Sequence, residues 1–186
     1  MELTISRRAL AVALAATSKD NHLPGLQRVN FHETGGISAT NKYVLVTAGD
    51  FSGDIVAAID KTIIRVVIAD AKRAGRYTVV LDTEKKTLGA YLYDYDTGYA
   101  QAPVYRLMSD ALRDASNPDD TCEFGISEHV FGVVYDAIKA YRAHTPRLPA
   151  KGNAQTFTHL TKNRWLCQMP GDDNISLLFM AAITKK

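Results

Sequence analysis

The sequence predicts an α+β fold made of about three copies of one strand–helix–strands unit, with the helices on one face of antiparallel sheets. Two observations predict it. Ser6, Asp60 and Ser127, residues of helix-capping type, each precede a stretch with helical apolar spacing. Each such stretch is followed by short strand-like runs separated by turn residues, and the whole pattern returns about every 60 residues.

In the first copy, Glu2 to Ile5 reads as a strand and Arg7 to Thr17 as a helix. Leu10, Ala13, Leu14 and Thr17 share one face of that helix, and Arg8, Ala11, Ala15 and Lys19 share the opposite arc. Asn21 to Gly25 breaks it. Gln27 to His32 alternates as a strand, Gly35-Gly36 makes a turn, and Ile37 to Thr40 and Tyr43 to Ala48 follow as strands. Ala39-Thr40-Asn41 interrupts that last apolar run.

In the second copy, Asp54 to Ile59 is a strand, Lys61 to Ala74 a helix and Gly75 its end. Tyr77 to Leu81 and Thr87 to Tyr95 are strands around a Glu84-Lys85-Lys86 turn. In the third, a strand at Thr121 to Ile126 leads into a helix from Glu128 to Ala143, with Val130, Phe131, Val134, Ile138 and Tyr141 as its apolar residues. Ala154 to Leu160, Trp165 to Met169 and Ser176 to Ile183 complete it. Arg106 to Asp120 reads as a linker, and His144 to Gln155 as a Pro- and Gly-bearing loop. The expected organisation is a two-repeat domain over 1–106, a linker over 107–120 and a half domain over 121–186.

With 186 residues and 46% hydrophobic content, the chain can fill a sizeable core. A net charge of +2 excludes a whole-protein basic field, so any nucleic-acid contact must come from local clustering. Cys122 and Cys167 form no CxxC motif and read as buried free thiols of a reducing compartment. The Ala-rich stretch after Arg8 reads as an amphipathic helix rather than a signal peptide, and no run is long enough to span a membrane. A cytoplasmic protein is expected.

Five histidines (His22, His32, His129, His144, His159) show no metal-ligand spacing. Asp94 and Asp96 sit among tyrosines in a pattern that fits a strand and polar turn better than an acid–base pair. No catalytic triad, phosphate loop or dinucleotide fingerprint stands out. The expectation is a protein with no cofactor, metal or enzymatic activity, and a small nuclease is disfavoured.

A helix-bearing β repeat broken at Ala39-Thr40-Asn41 resembles the bacterial β sliding clamp, the processivity factor of the replicative DNA polymerase. The family's middle domain carries Ala-Thr-Asp and then Gly-His-Arg-Leu, where this chain has Ala39, Thr40, Asn41, Lys42, Tyr43, Val44 and Leu45. Its Phe-Pro-Asp-Tyr-Arg before the linker matches Ala102, Pro103, Val104, Tyr105 and Arg106. Its Met-Pro-Met near the C-terminus corresponds to the region of Phe179, Met180, Ala181 and Ala182. The Gly-His-Arg portion is replaced and the terminal proline is Ala181, departures that bear on the pocket more than on the fold. The resemblance implies a shortened clamp: a whole middle domain plus the last half of the final one.

A clamp binds duplex DNA loosely, through Lys and Arg that neutralise phosphates. In the second helix, Lys61, Arg65, Lys72 and Arg76 fall within an arc of about 60° at 100° per residue, beside Ile64, Val67, Ile68 and Ala71. Arg7, Arg8 and Lys19 on the first helix, and Arg147 and Lys151 after the third, add positive charge. The resemblance further implies an apolar pocket for short partner peptides, with Thr40, Leu45, Pro103, Met108, Leu178 and Met180 in the matching places. On this reading the chain is a homo-oligomeric DNA-tethering factor for replication proteins. The alternative is a non-encircling module on the same fold that regulates or inhibits a host replication, transcription or defence protein.

Overall fold

The computed structural model describes residues 1–20, 22–94, 110, 126–145, 155–160, 164–171 and 173–180. The first repeat runs β1 (Glu2–Ser6), α1 (Arg7–Ala15), a short 3-10 turn (Pro24–Gln27), β2 (Arg28–His32), β3 (Ile37–Thr40) and β4 (Val44–Ala48). The second runs β5 (Ile55–Asp60), α2 (Lys61–Arg73), β6 (Thr78–Asp82), β7 (Thr87–Leu88) and β8 (Tyr91–Leu92). The third has α3 (Glu128–His144), β9 (Thr156–His159), β10 (Arg164–Gln168) and β11 (Ser176–Met180). The strand expected at Thr121 to Ile126 and the 107–120 linker lie outside the described residues, apart from Ile126 and Asp110.

The three helices given above start where the sequence places their caps. Ser6, Asp60 and Ser127 have extended backbones, and their side-chain oxygens accept from Ala9, Thr62 and Val130 N–H. Each thereby satisfies a backbone donor that a helix start leaves without an intrahelical partner. Gly75, at φ +67, turns the chain out of α2. The single strand expected over Thr87 to Tyr95 is instead two short ones, because Gly89, at φ +60, takes a left-handed conformation between them.

The first two repeats close on each other by exchanging strands. β1 pairs antiparallel with β6, and β2 with β5, so each repeat's strand before the helix joins the other's first strand after it. The helices follow the same antiparallel relation. Arg7 at the start of α1 donates from Nη1 to the Ala71 carbonyl near the end of α2 (3.3 Å), and Lys61 at the start of α2 donates to the Ser18 carbonyl beyond the end of α1 (3.0 Å).

The third repeat joins the first rather than the second. β11 pairs antiparallel with β4, aligning Leu178 with Leu45 and Leu177 with Val46. This makes a seven-stranded sheet in the order β5-β2-β3-β4-β11-β10-β9, beside a four-stranded sheet in the order β1-β6-β7-β8. Strand alternation sends Val44, Val46, Leu177 and Phe179 into the main core with the helices, and Leu45, Leu166 and Leu178 to the other face, where they pack with Leu160 and Phe51. α1 lies between α2 and α3 and packs on both. That position buries Ala11 as well as Leu10 and Ala13, so the helix has no solvent face of the kind its spacing suggests. On α3, Val130, Val133, Val134, Ala137 and Tyr141 are buried, whereas Phe131, expected in the core, is 54% exposed.

Candidate functional site

The candidate cations divide into those used inside the protein and those held at its surface. Arg7 is 7% exposed, and its guanidinium lies over the Tyr77 ring at 5.3 Å. Arg8 stacks on Tyr141 at 5.0 Å and donates from Nε to Asp173 at 2.6 Å. These two arginines hold the helices and the third repeat together, although the sequence reading places them toward a phosphate backbone. The reason is the central position of α1. Helical spacing marks an arc as polar, but not that two neighbouring helices close over it.

On α2 the stripe is divided. Arg65 and Lys72 are exposed, while Lys61 is half-buried by its bond to Ser18. Arg76 is exposed but lies beyond the Gly75 turn, so it does not continue the helical stripe. It lines a cleft of about 680 Å³ with Asp70, Arg73, Val80 and Tyr91. There the Asp70 carboxylate accepts from the Tyr91 hydroxyl, which holds the phenol's proton on above its ordinary pKa. Arg73, which the sequence reading passed over, donates to Asp70 at 3.3 Å. Lys19 is exposed and lines a second cleft, of about 530 Å³, together with Lys42, Tyr43, His129, Glu128 and Asp136. Arg147 and Lys151 lie outside the described residues.

Four of the residues expected to line a peptide pocket lie near one another. Leu45 and Leu178 face each other in register, Thr40 pairs with Leu45 on the neighbouring strand, and Met180 donates its N–H to the Tyr43 carbonyl at 3.2 Å. Met180 is 52% exposed beside this cluster. Pro103 and Met108 lie outside the described residues. The Ala39-Thr40-Asn41 interruption is the end of β3, with Asn41 opening the β3–β4 hairpin turn over 41–43. Asn41 Oδ1 accepts from Tyr43 and Val44 N–H (3.1 and 2.9 Å), Thr40 Oγ1 donates to the Val44 carbonyl (2.9 Å), and Lys42 takes φ +86. An Asn side chain that folds back on the backbone two residues on is a standard turn device.

Two further titratable groups are buried. His32 donates from Nδ1 to the Gly53 carbonyl (2.9 Å) and accepts at Nε2 from Ser38 (3.0 Å), and burial holds its pKa below the ordinary value. Cys167 is a free thiol pushed up to about 12 by burial, a poor nucleophile at neutral pH. Among the described residues no group of three His, Cys, Asp or Glu side chains is placed to hold a metal ion. No described helix is long and apolar enough to cross a membrane.

The fold is that of bacterial sliding clamps. A DNA polymerase III β subunit from Thermotoga maritima superposes over 99% of this chain at TM-score 0.59 and 11% identity. The β sliding clamp of C. crescentus, solved with polyethylene glycol in its putative β-motif tethering region, covers 99% at TM-score 0.60 and 13% identity. A DnaN sliding clamp from Bartonella birtlesii, bound to griselimycin, covers 98% at TM-score 0.56 and 11% identity. The match spans 65%, 66% and 66% of those chains, so this protein takes up about two thirds of a clamp subunit's length. No protein-family model matches the sequence. No curated protein matches it either.

Proposed function

We propose that this protein is a sliding-clamp-like factor, not an enzyme, that associates with duplex DNA without sequence preference and tethers partner proteins to it. The observation that carries the proposal is the likeness of essentially the whole chain to clamp subunits. Of the cations expected at the DNA, Arg65 and Lys72 on the exposed side of α2, with Lys19 and Arg76 nearer the clefts, are the ones exposed among the described residues. Arg147 and Lys151 belong to the same proposal. The partner site is the apolar patch on the sheet face away from the helices, built on Leu45 and Leu178 and rimmed by Thr40 and Met180. An extended peptide would set apolar side chains on that patch. Pro103 and Met108 complete the proposed set, within a two-repeat domain over 1–106 joined by 107–120 to a half domain over 121–186.

The test is binding to a fluorescent DNA duplex across a salt series. Arg65→Glu with Lys72→Glu is expected to weaken binding and to lower the slope of log affinity against log salt by about 2. Unchanged affinity and slope would sink the DNA-facing role of α2. One observation favours the second reading, a non-encircling regulatory module: Arg7 and Arg8 are engaged internally, which leaves the helix layer only modestly positive. That reading is supported if the protein binds a peptide or partner while showing no affinity for duplex DNA.

A further inference from the structure

The most exposed aromatic ring among the described residues stands at a junction of cations. Tyr77, in the turn between α2 and β6, is 59% exposed. Its backbone is fixed, because its carbonyl accepts from Arg7 N–H at 2.8 Å. Its ring is held from one face by the Arg7 guanidinium, 5.3 Å from the ring centroid. Arg7 is anchored in turn by donating to the Ala71 carbonyl. Among the described residues no other ring packs against Tyr77. A tyrosine that serves packing is turned inward, as Tyr141 is on α3. Tyr77 instead presents a positioned ring to solvent.

The surroundings of the ring are positive. Lys72, in the last turn of α2, and Arg76, next to Tyr77, are both exposed. Among the described residues neither has a carboxylate in ion-pair range. The neighbouring carboxylates are already used, Asp70 by Arg73 and Tyr91, and Asp173 by Arg8 and Ser6. Burial lowers the pKa of His144 at the end of α3, and the like charges of Arg7 and Lys72 lower it further. Arg65 and Lys72, about two turns apart on one face of α2, continue the positive surface away from the ring.

We infer that Tyr77 is a stacking platform for an unpaired nucleobase, with Lys72 and Arg76 receiving phosphates of the same strand. The ligand class is single-stranded nucleic acid. An aromatic face flanked by cations suits such a strand, because every base has a π-face and every nucleotide a phosphate. A duplex does not satisfy the ring, since its bases are stacked on one another. The Arg7 contact holds the ring in place beforehand, which lowers the ordering cost of binding. The inference rests on the proposed DNA association for the source of the strand, and on Tyr77 and its cations for the site.

The test is fluorescence anisotropy of the full chain with two labelled oligonucleotides of equal length, an oligothymidylate and an abasic strand. The expected result is at least about fivefold tighter binding of the oligothymidylate, the worth of one stacked base. Tyr77→Ala is expected to remove that preference, and Tyr77→Phe to keep it. Unchanged affinity of Tyr77→Ala for the abasic strand, which only the cations hold, shows that the variant is folded. If Tyr77→Ala loses the fold, Tyr77→Leu, which keeps apolar bulk over Arg7 without an aromatic face, makes the same comparison. Equal binding of the two strands by the unaltered protein overturns the inference. So does binding of neither, or a preference that loss of the ring leaves intact. The duplex salt series with Arg65→Glu and Lys72→Glu reads the proposed function separately, because a paired strand offers no free base to Tyr77.

Discussion

Arg8 Nε donates to Asp173 Oδ2 at 2.6 Å, and so a residue in the first turn of α1 is tied to the loop before β11. The same carboxylate oxygen accepts from Ser6 Oγ at 2.8 Å, and the Asp173 carbonyl accepts from Gly49 N–H at 2.8 Å. One residue of the third repeat thereby holds three points of the first. Hydrogen bonds to charged groups are worth more than neutral ones, and both side chains here are largely shielded from water. Asp173→Ala is expected to destabilise the fold by about 2 kcal/mol, read as a lower urea midpoint. An unchanged midpoint would show that β4–β11 pairing alone docks the third repeat.

The outer-face cluster separates stability from binding. Leu178 is buried against Leu45, Leu160 and Leu166, so Leu178→Ala is expected to cost about 2–4 kcal/mol. Met180 is half-exposed, and Met180→Asp is expected to change stability by less than about 0.5 kcal/mol. On the proposed function the same change weakens binding of a fluorescent clamp-motif peptide at least tenfold. Saturable binding that Met180→Asp does not alter would remove the pocket from this surface.

Acid should destabilise the protein through His32, which is buried, and His144, which is partly so. Burial lowers the folded-state pKa of His32, with the Gly53 hydrogen bond and Asp50 opposing it. Burial also lowers His144, helped by Arg7 and Lys72. An unfolded histidine titrates near 6.5, so below that pH the unfolded chain binds protons that the folded one resists. Stability therefore falls as pH drops from about 7 through 6.5, and levels off once the folded groups also protonate. His32→Gln should flatten this part of a melting-temperature profile and leave the His144 share. A profile of unchanged slope would mean that His32 does not carry the effect.

The β3–β4 turn sets the register of the strand that receives the third repeat. Asn41→Ala removes the acceptor for two backbone N–H groups and should lower stability by about 1–2 kcal/mol in a denaturant titration. No loss would mean that strand pairing alone fixes the turn.

Helix starts were legible because capping is local: Ser6, Asp60 and Ser127 each act within three residues of themselves. The repeat pattern, and with it the clamp fold, was legible for the same reason. What the sequence did not disclose was which repeat meets which. That choice depends on pairing between β4 and β11, far apart in the chain, and it brought Asp173 and Tyr141 onto Arg8. It also left Phe131 outside, because a residue at the margin of an apolar arc is buried only if a neighbour reaches it. Of the expected peptide pocket, Leu45 and Leu178 came together because both lie on strands whose alternation is strict.

The most direct test of clamp-like action is retention on closed circular plasmid compared with the same plasmid linearised, by gel filtration at moderate salt. An encircling protein slides off free ends, so the account predicts co-elution with the circle and loss on linearisation, with Arg65→Glu and Lys72→Glu weakening the retained fraction. Equal retention on both forms, or none on either, would contradict encirclement.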